Sequence, residues 1–428
     1  MYCSHLDVCS FRTRGPMAKT RARRVGLLLL LCFCFSSSYM IVTRTIADLL
    51  GSFSALWIRE DAWTHCRNCC GDVRERMLKS SLRGLGKDVA CFTFHPEASS
   101  PSSYTFVARR RQSLNRSYFK SALRFLRDVA SEQRKNRGER SGVAIRLLWV
   151  IDDDASLPRK LQRELKSLNV FILAHSINAN CFTDESVVLA PNFHFIKRDG
   201  FKLFLRNLRE REIPFDERKS DVFWRGSTSG MSTKCEVEES TRVDGNERVT
   251  ACVKLPRVRA VQSSINVPWL DLEITRRVQS CRGQKNVRIS PRVSEQHWIT
   301  HKGILEIDGN VDAWGNRWRM ESGSVLFLVK SNFKHYYSDK LVDGIHYIGI
   351  SGDLHDLVEK TKIITNTDGE SLTKLRDITA NARALMQEFT YERVVKGVSH
   401  RLNELVLSTN CTSTCTSTKY YRRWVLKV

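Results

Sequence analysis

Residues 301–324, HKGILEIDGNVDAWGNRWRMESGS, limit the possible folds more than any other part of the chain. The apolar run at residues 304–307 predicts a buried strand, and the Asp-Gly-Asn sequence after it predicts a turn. A basic and aromatic helix and a second turn of small residues should follow. Such a strand, turn and helix form the repeating unit of parallel α/β sheets, and the N-terminus of the helix can face an anion.

The same alternation of apolar strands and amphipathic helices recurs in both halves of the chain, which predicts an α/β fold. The predicted strands are residues 143–151, 170–174, 221–224, 304–307, 324–329 and 346–350. The predicted helices are residues 117–134, 157–168, 354–363, 372–386 and 391–405. Residues 231–250 are polar without an apolar period and are typical of an inserted loop.

Four short segments also carry a resemblance to a known family. They are residues 149–154 (WVIDDD) followed by Pro158, residues 223–230 (FWRGSTSG), residues 301–324, and residues 344–348 (GIHYI) followed by Asp353 and Leu354. Their order and spacing resemble those of glycosyltransferase family 90, the capsule-associated and protein O-glucosyltransferase-like enzymes. The resemblance covers roughly residues 140–405. It implies a GT-B-like fold, in which two Rossmann-like lobes face a cleft.

The N-terminus predicts a membrane anchor. Residues 1–24 carry six basic residues and one acid, and residues 25–42 carry no charge. A span of this length can cross a bilayer, and the basic side should remain cytosolic. We therefore expect a single-pass type II protein of the Golgi or endoplasmic reticulum membrane with a lumenal catalytic portion. The alternative is a cleaved signal peptide.

We accordingly predict six segments. They are a cytosolic basic arm (1–24), a transmembrane signal anchor (25–42), a stem with a leading helical region (43–116), an N-terminal lobe on the acceptor side (117–215), a C-terminal lobe on the nucleotide-sugar side (216–405) and a basic tail (406–428). The 14 cysteines favour disulfide bonds in an oxidising lumen. Asn115 and Asn410 begin glycosylation sequons.

The net charge of +23 suggests an anionic partner without identifying it. Zinc-finger spacing and the aromatic signature of RNA-binding domains are both lacking in the sequence, so we expect no nucleic acid partner. An acidic acceptor and a membrane surface remain open, as does a basic surface that simply faces water.

Asp153 is the predicted catalytic base, because it follows a strand and the resemblance aligns Pro158 with the proline after the family's catalytic aspartate. A carboxylate can take the proton of an attacking hydroxyl. A shift of one residue would select Asp152 or Asp154, and a helix cap is the structural alternative. The three aspartates also fit the Asp-x-Asp pattern that holds manganese in another class of glycosyltransferase. The paired-lobe pattern instead favours a metal-independent reaction, so we expect no cofactor and no metal.

The remaining predicted site residues would bind the donor. Bidentate bonding to phosphate is the reason to expect arginine there. Arg257 or Arg259 is the candidate for the family's nucleotide arginine, with Arg248 in reserve. Some members place an arginine where Gly315 stands, and Arg317 and Arg319 could supply that cation. The full predicted set is Gly226, Ser227, Arg257, Arg259, Asp308, Gly309, Asn310, Trp314, Arg317, Arg319, Gly323 and Ser324.

The resemblance implies an inverting transfer of a sugar, xylose or glucose, from a UDP-sugar to a hydroxyl of a protein or polysaccharide acceptor. The alternative is a catalytically silent protein that binds glycans on the same fold. His175 and His194 could line the acceptor site or serve a structural role. Trp314 could stack on a sugar or a uracil, or be buried in the core.

Overall fold

The computed structural model of this chain describes residues 89–94, 103–107, 116–136, 145–150, 157–180, 187–230, 252–278, 283–366 and 368–408. All of them belong to one compact unit, Asn68–Val428. The predicted basic arm, the anchor, most of the stem, the insert at residues 231–250 and the tail beyond residue 408 lie outside the described residues. Within the described part, no helix is both long and apolar enough to cross a membrane.

Five strands of the first half form a mixed sheet, called the first sheet here. They are β1 (Val89–Phe94), β2 (Ser103–Val107), β3 (Ile145–Val150), β4 (Val170–Ala174) and β6 (Val187–Leu189). Their order is β2-β1-β3-β4-β6. β1 is antiparallel to β2 and β3, whereas β3, β4 and β6 run parallel. β3 and β4 are almost continuously apolar because helices cover both faces.

Two helices cover opposite faces of the first sheet. In α1 (Arg116–Asn136), Phe125 and Val129 are buried at helical spacing, and Phe125 packs edge-on against Trp149 of β3. In α2 (Arg159–Ser167), Leu161 and Leu165 join the apolar cluster on the other face. Alternate residues of β3 point to the two faces, which explains why this strand carries no run of polar side chains.

Five further strands form a second sheet. They are β7 (Lys219–Ser227), β8 (Leu270–Arg276), β9 (His301–Glu306), β10 (Val325–Val329) and β12 (Ile348–Ile350). This sheet is wholly parallel, in the order β12-β10-β9-β7-β8. A short antiparallel pair, β5 (Ile177–Asn178) with β11 (Phe333–Lys334), joins segments that follow β4 and β10. Since the five strands are parallel, their carboxyl ends lie along one edge, as in other open α/β sheets.

The remaining helices are α3 (Phe193–Lys197), α4 (Lys202–Arg209), α5 (Pro256–Ser263), α6 (Glu295–Trp298), α7 (Asn316–Met320), α8 (Leu357–Thr361), α9 (Gly369–Met386) and α10 (Tyr391–Ser408). Three of these helices begin at residues that favour the start of a helix. Asn192 caps α3, Asp368 caps α9, and Pro256 is the first residue of α5.

The last helix returns to the first sheet. Tyr391 of α10 donates its hydroxyl to Asp128 Oδ2 of α1 at 2.6 Å, and its ring packs edge-on against Phe125. By sequence this helix belongs to the predicted C-terminal lobe (216–405), whereas in the structure it packs on α1 of the N-terminal half.

The predicted α/β class is confirmed, with local corrections. β1 and β2 occur where a stem and leading helical region were expected, and β6 and β8 were not predicted. β7 continues to Ser227, beyond the predicted strand at residues 221–224. The helix after Asn310 begins only at Asn316 and has five residues, so its N-terminus does not directly follow the Asp-Gly-Asn turn.

Candidate active site

Two loops meet at the carboxyl edge of the second sheet. The neighbouring strands β7 and β9 end there at Ser227 and Glu306. The amide of Gly230, after β7, donates to Oδ1 of Asn310, after β9, at 3.2 Å. Ligands of open α/β sheets bind outside the carboxyl ends of the strands, so this edge is the candidate site.

A buried arginine joins the two loops. Arg257 lies in the first turn of α5 and is only 8% exposed. Its Nη1 donates to Ser229 Oγ at 2.6 Å, and its Nη2 donates to the carbonyl of Ile307 at 2.9 Å. Burial, with a smaller effect from the positive charge of Arg319, lowers the pKa of Arg257 to about 10. The guanidinium therefore remains charged at pH 7.

Two hydroxyl groups stand beside Arg257, since Ser227 Oγ lies 3.1 Å from Ser229 Oγ. Gly226 contributes through packing, because a side chain there would collide with the indole of Trp224. Arg257 lies over that indole, with Cζ 5.6 Å from the ring centroid. Gly226 thus makes room for the ring that supports Arg257.

The loops also pack closely at Gly309. A Cβ atom at this position would lie 3.1 Å from Ser229 Oγ and 3.3 Å from Arg257 Nη2. Such distances are tighter than ordinary Cβ contacts, so the neighbouring groups would have to shift. Glycine at 309 therefore lets the hydroxyl and guanidinium groups approach the backbone.

Two carboxyl groups balance the positive charge of this edge. Asp308 accepts a hydrogen bond from Ser331 Oγ at 2.5 Å, and burial raises its pKa to about 6 against the opposing effects of that bond and of Arg257. Glu306 is fully buried, and its Oε2 accepts from Arg319 Nη1 at 2.6 Å. Burial raises the pKa of Glu306, and Arg319 opposes that shift.

Arg319 lies beside the position at which the resemblance shows a departure. A Cβ atom at Gly315 would be 3.0 Å from Arg319 Cζ. The guanidinium also lies over the indole of Trp298, 4.3 Å from its centroid. The cation of Arg319 is thus adjacent to position 315, where its charge is paired with Glu306.

Arg317 is engaged elsewhere. Its Nη1 pairs with Glu321, its Nη2 donates to the carbonyl of Met386 at 2.7 Å, and its Nε donates to the carbonyl of Phe389 at 3.4 Å. Each guanidinium nitrogen therefore bonds either to Glu321 or to a carbonyl at or beyond the end of α9. These contacts correct the prediction that Arg317 binds the donor, because its charge is already paired with the buried carboxylate of Glu321.

Gly323 and Ser324 lie at the opposite edge of the second sheet, because they precede β10. Ser324 Oγ donates to the carbonyl of His301 at 2.8 Å and accepts from Arg218 Nη1 at 2.9 Å. Gly323 has φ +78°, and a side chain there would also collide with Arg383. The predicted donor contact of Gly323 and Ser324 is therefore corrected: they connect the amino ends of the strands.

Two further predicted residues lie around the candidate site. Arg259, two residues after Arg257 in α5, donates to the carbonyl of Asp353 beyond β12. Trp314 lies in the loop that follows β9, where it packs against His194, with ring centroids 4.0 Å apart. Neither side chain has a hydrogen bond to the Ser227 and Ser229 hydroxyls among those found in the described residues.

Asp153, with Asp152 and Asp154, lies outside the described residues. β3 ends at Val150, three residues before Asp153 in the sequence, and it runs parallel to β4. Across the described residues, no group of three or more His, Cys, Asp or Glu side chains could hold a metal ion.

Several residues at this edge were not predicted from the sequence. They are Ser229, Gly230, Glu306 and Ser331. The small polar run at residues 227–230 was a usable signal, because short hydroxyl and glycine residues after a strand favour ligand-binding loops. Glu306 gave no such signal, because the sequence shows it only as a single polar residue within an apolar strand.

The parallel sheet and its polar carboxyl edge define an α/β protein with a candidate ligand site at the strand ends. Comparison with known proteins supplies the family. Residues 196–406, slightly less than half of the chain, match the model of Glycosyl transferase family 90, which confirms the resemblance drawn from the motifs.

The chain is also similar to a protein of Invertebrate iridescent virus 6, described as uncharacterized protein 179R. The two are 26% identical over 217 residues, which is 46% of this chain and 17% of the viral protein. The similarity therefore spans only a small part of the viral protein's length.

Proposed function

We propose that this protein is an inverting glycosyltransferase that moves xylose or glucose from a UDP-sugar to a hydroxyl of a protein or glycan acceptor. The observation that carries the proposal is Arg257, a charged and buried arginine at the carboxyl edge of a parallel sheet. The family 90 domain supports sugar transfer in general terms. The donor and the acceptor are part of the proposal.

The surroundings of Arg257 suit a diphosphate. Two serine hydroxyls and a close backbone approach at Gly309 adjoin its guanidinium. Hydroxyl donors and the fork of an arginine are groups that bind phosphate oxygens well. Because Arg257 is buried, its interaction with a diphosphate would be screened less by solvent than that of an exposed cation.

In the proposed GT-B-like arrangement, the second sheet binds the nucleotide sugar and the first sheet presents the acceptor. Asp153 would take the proton of the acceptor hydroxyl as its oxygen bonds to the anomeric carbon. The bond from that carbon to the diphosphate oxygen breaks at the same time, and the configuration inverts because the hydroxyl attacks from the face opposite the leaving diphosphate. The electron pair leaves with UDP, and Arg257 stabilises the charge that develops there.

A secretory location fits this function. The uncharged span at residues 25–42 follows a basic arm, which predicts a type II anchor. Cys252, which lies just before α5, is disulfide-bonded. A structural disulfide is typical of proteins that reside in oxidising compartments, so both features support a Golgi or endoplasmic reticulum lumen.

The test is UDP release by the purified full-length protein with a panel of UDP-sugars, assayed with and without acceptor hydroxyls and with EDTA. We expect turnover of UDP-xylose or UDP-glucose that survives chelation. Turnover that EDTA abolishes and manganese restores would overturn the metal-independent mechanism. Glycan binding without turnover of any UDP-sugar would favour the catalytically silent alternative.

A further inference from the structure

Trp314 is unusual among the large apolar side chains of the described residues. It is 38% exposed, whereas Trp298 and Trp318 nearby are each 5% exposed. The other exposed large apolar residues of the described part are all aliphatic. An indole that remains partly exposed keeps an apolar face available to a flat ligand.

Other aromatic rings of the described residues pack against the indole. Its ring centroid lies 4.0 Å from that of His194, with a tilt of 32° between the planes. Tyr118 of α1 meets Trp314 edge-on at 6.1 Å and stacks on Phe193 at 5.0 Å. Phe193 in turn stacks on Trp149 of β3 at 5.6 Å, so a continuous series of rings anchors Trp314 in the core.

His194 acts as a neutral part of this support. Burial, with smaller effects from Arg198 and Lys197, lowers the pKa of His194 to about 4. The imidazole is therefore uncharged at pH 7. Its Nε2 is buried and has no hydrogen-bond partner among the described residues, which fits a ring held by stacking.

A hydrogen bond also joins the two segments that contain His194 and Trp314, two residues earlier in each segment. Asn192 Nδ2 donates to Asp312 Oδ2 at 3.1 Å, so residues 192 and 194 face residues 312 and 314. The carbonyl of Asp312 accepts from the amide of Gly309 at 3.2 Å. Trp314 is five residues from Gly309, which limits their separation to about 18 Å. The indole is thus tied to the loop of the candidate nucleotide site.

A flat, partly exposed indole matches the apolar face of a sugar ring. A pyranose presents C–H groups on its faces and hydroxyls around its rim, so it can stack on an aromatic plane while its rim bonds to polar side chains. The uracil base of the donor is the other flat group that the proposed reaction would bring to the site. The indole is supported by α1 and α3, which pack with the first sheet, and this favours the acceptor side.

We propose that Trp314, positioned by His194, binds a pyranose ring of the acceptor, which makes the acceptor a glycan rather than a peptide. The inference rests on the proposed function. It deepens that function by naming the class of molecule that receives the sugar.

The test measures binding of the full-length protein to an array of neutral and acidic oligosaccharides, and separately to UDP by calorimetry. Trp314→Ala should weaken glycan binding by about tenfold or more and leave UDP affinity within about twofold, where tenfold equals 1.4 kcal/mol. Trp314→Phe should retain most of the binding, because it keeps an aromatic face. Ile345→Ala is the matched control, since Ile345 is also exposed and apolar.

His194 has its own test as a positioning residue. His194→Ala should weaken glycan binding, whereas His194→Phe should restore it, because a phenyl ring keeps the stack without a titratable nitrogen. Rescue of this kind would not follow if the imidazole bonded to the sugar directly.

Three outcomes would overturn the inference. Trp314→Ala could weaken UDP and spare glycans, which would assign the indole to uracil. It could change neither affinity, or the wild-type protein could bind no glycan while it glycosylates a serine peptide. Failure of the proposed function is distinguishable, because it would appear as absent UDP-sugar turnover while glycan binding on the array still depended on Trp314.

Discussion

Replacing Glu321 with alanine should unfold this protein at a markedly lower temperature. Glu321 is 2% exposed and pairs with the buried guanidinium of Arg317. Its Oε2 also accepts from Arg209 Nη2 at 2.6 Å and from Gln387 Nε2 at 2.9 Å. One carboxylate therefore connects α4, α7 and the turn after α9.

The magnitude follows from what the substitution leaves behind. Arg317 is 5% exposed, so Glu321→Ala would leave a buried cation without its counter-charge. Removing one partner of a buried ion pair costs about 3–5 kcal/mol. At an unfolding entropy of about 2.1 cal/mol/K per residue, a loss of this size corresponds to a fall in the unfolding midpoint on the order of 3–6 °C for a chain of this length.

Thermal unfolding followed by circular dichroism measures the effect. The matched control is Glu388→Ala, because Glu388 pairs with Lys340 at 3.6 Å and both side chains are at least half exposed. That pair should contribute about 0–1 kcal/mol. Equal shifts for the two variants would refute the assignment of Glu321 and Arg317 to a buried structural network.

Three further predictions address the reaction, the pH dependence and the topology. Asp153→Asn should lower sugar transfer by about 10²–10⁴-fold and spare UDP affinity, and retention of more than half of the activity would refute its role as base. Burial raises the pKa of Asp308 from 3.8 to about 6, so the folded state binds its proton more tightly than the unfolded state. The stability that this protonation contributes is complete below pH 3.8 and is lost as pH rises through 6. Urea titrations should therefore show the free energy of unfolding of Asp308→Asn increasing relative to that of the wild type over that range. A constant difference between the two would contradict this. In intact microsomes, a C-terminal tag should resist protease without detergent, and its digestion would contradict a lumenal catalytic portion.

The alternation of strands and helices could be predicted because its local signals agree with the fold. β4 was predicted with the bounds that the structure shows, Val170–Ala174, since a short apolar run buried on both faces is a strong signal. β8 was missed although Leu270, Leu272 and Ile274 alternate with polar residues. It is an edge strand with one polar face, which differs from the continuous apolar pattern expected in a parallel sheet.

The sequence predicted those residues of the candidate site that lie together in one loop. It predicted less well the residues whose roles depend on packing. Asp308, Gly309 and Asn310 lie in such a loop, beside Arg257 and Ser227. In this loop a motif of the family directly follows the end of a strand.

Arg317 and Arg319 show why the rest could not be predicted. They are two residues apart on a short helix, so their roles depend on which acid each one meets. Glu321 engages the first at the i,i+4 spacing that helix geometry favours, whereas Glu306 engages the second from the preceding strand, a pairing that spacing does not encode. Gly323 and Ser324 were a different error, because their place before β10 already put them at the amino edge of a parallel sheet.

The central claim is that the carboxyl edge of the second sheet binds the diphosphate of a nucleotide sugar through Arg257. Calorimetric titration of the full-length protein with UDP tests it, using Arg257→Ala and, from the same helix, Arg259→Ala. A charge-assisted bond of about 1.5–3 kcal/mol predicts a roughly 10- to 150-fold loss of affinity for Arg257→Ala. Arg259→Ala should change the affinity by less than about twofold, because the guanidinium of Arg259 donates to the Asp353 carbonyl. Circular dichroism verifies that both variants are folded, and wild-type UDP affinity in folded Arg257→Ala would contradict the claim.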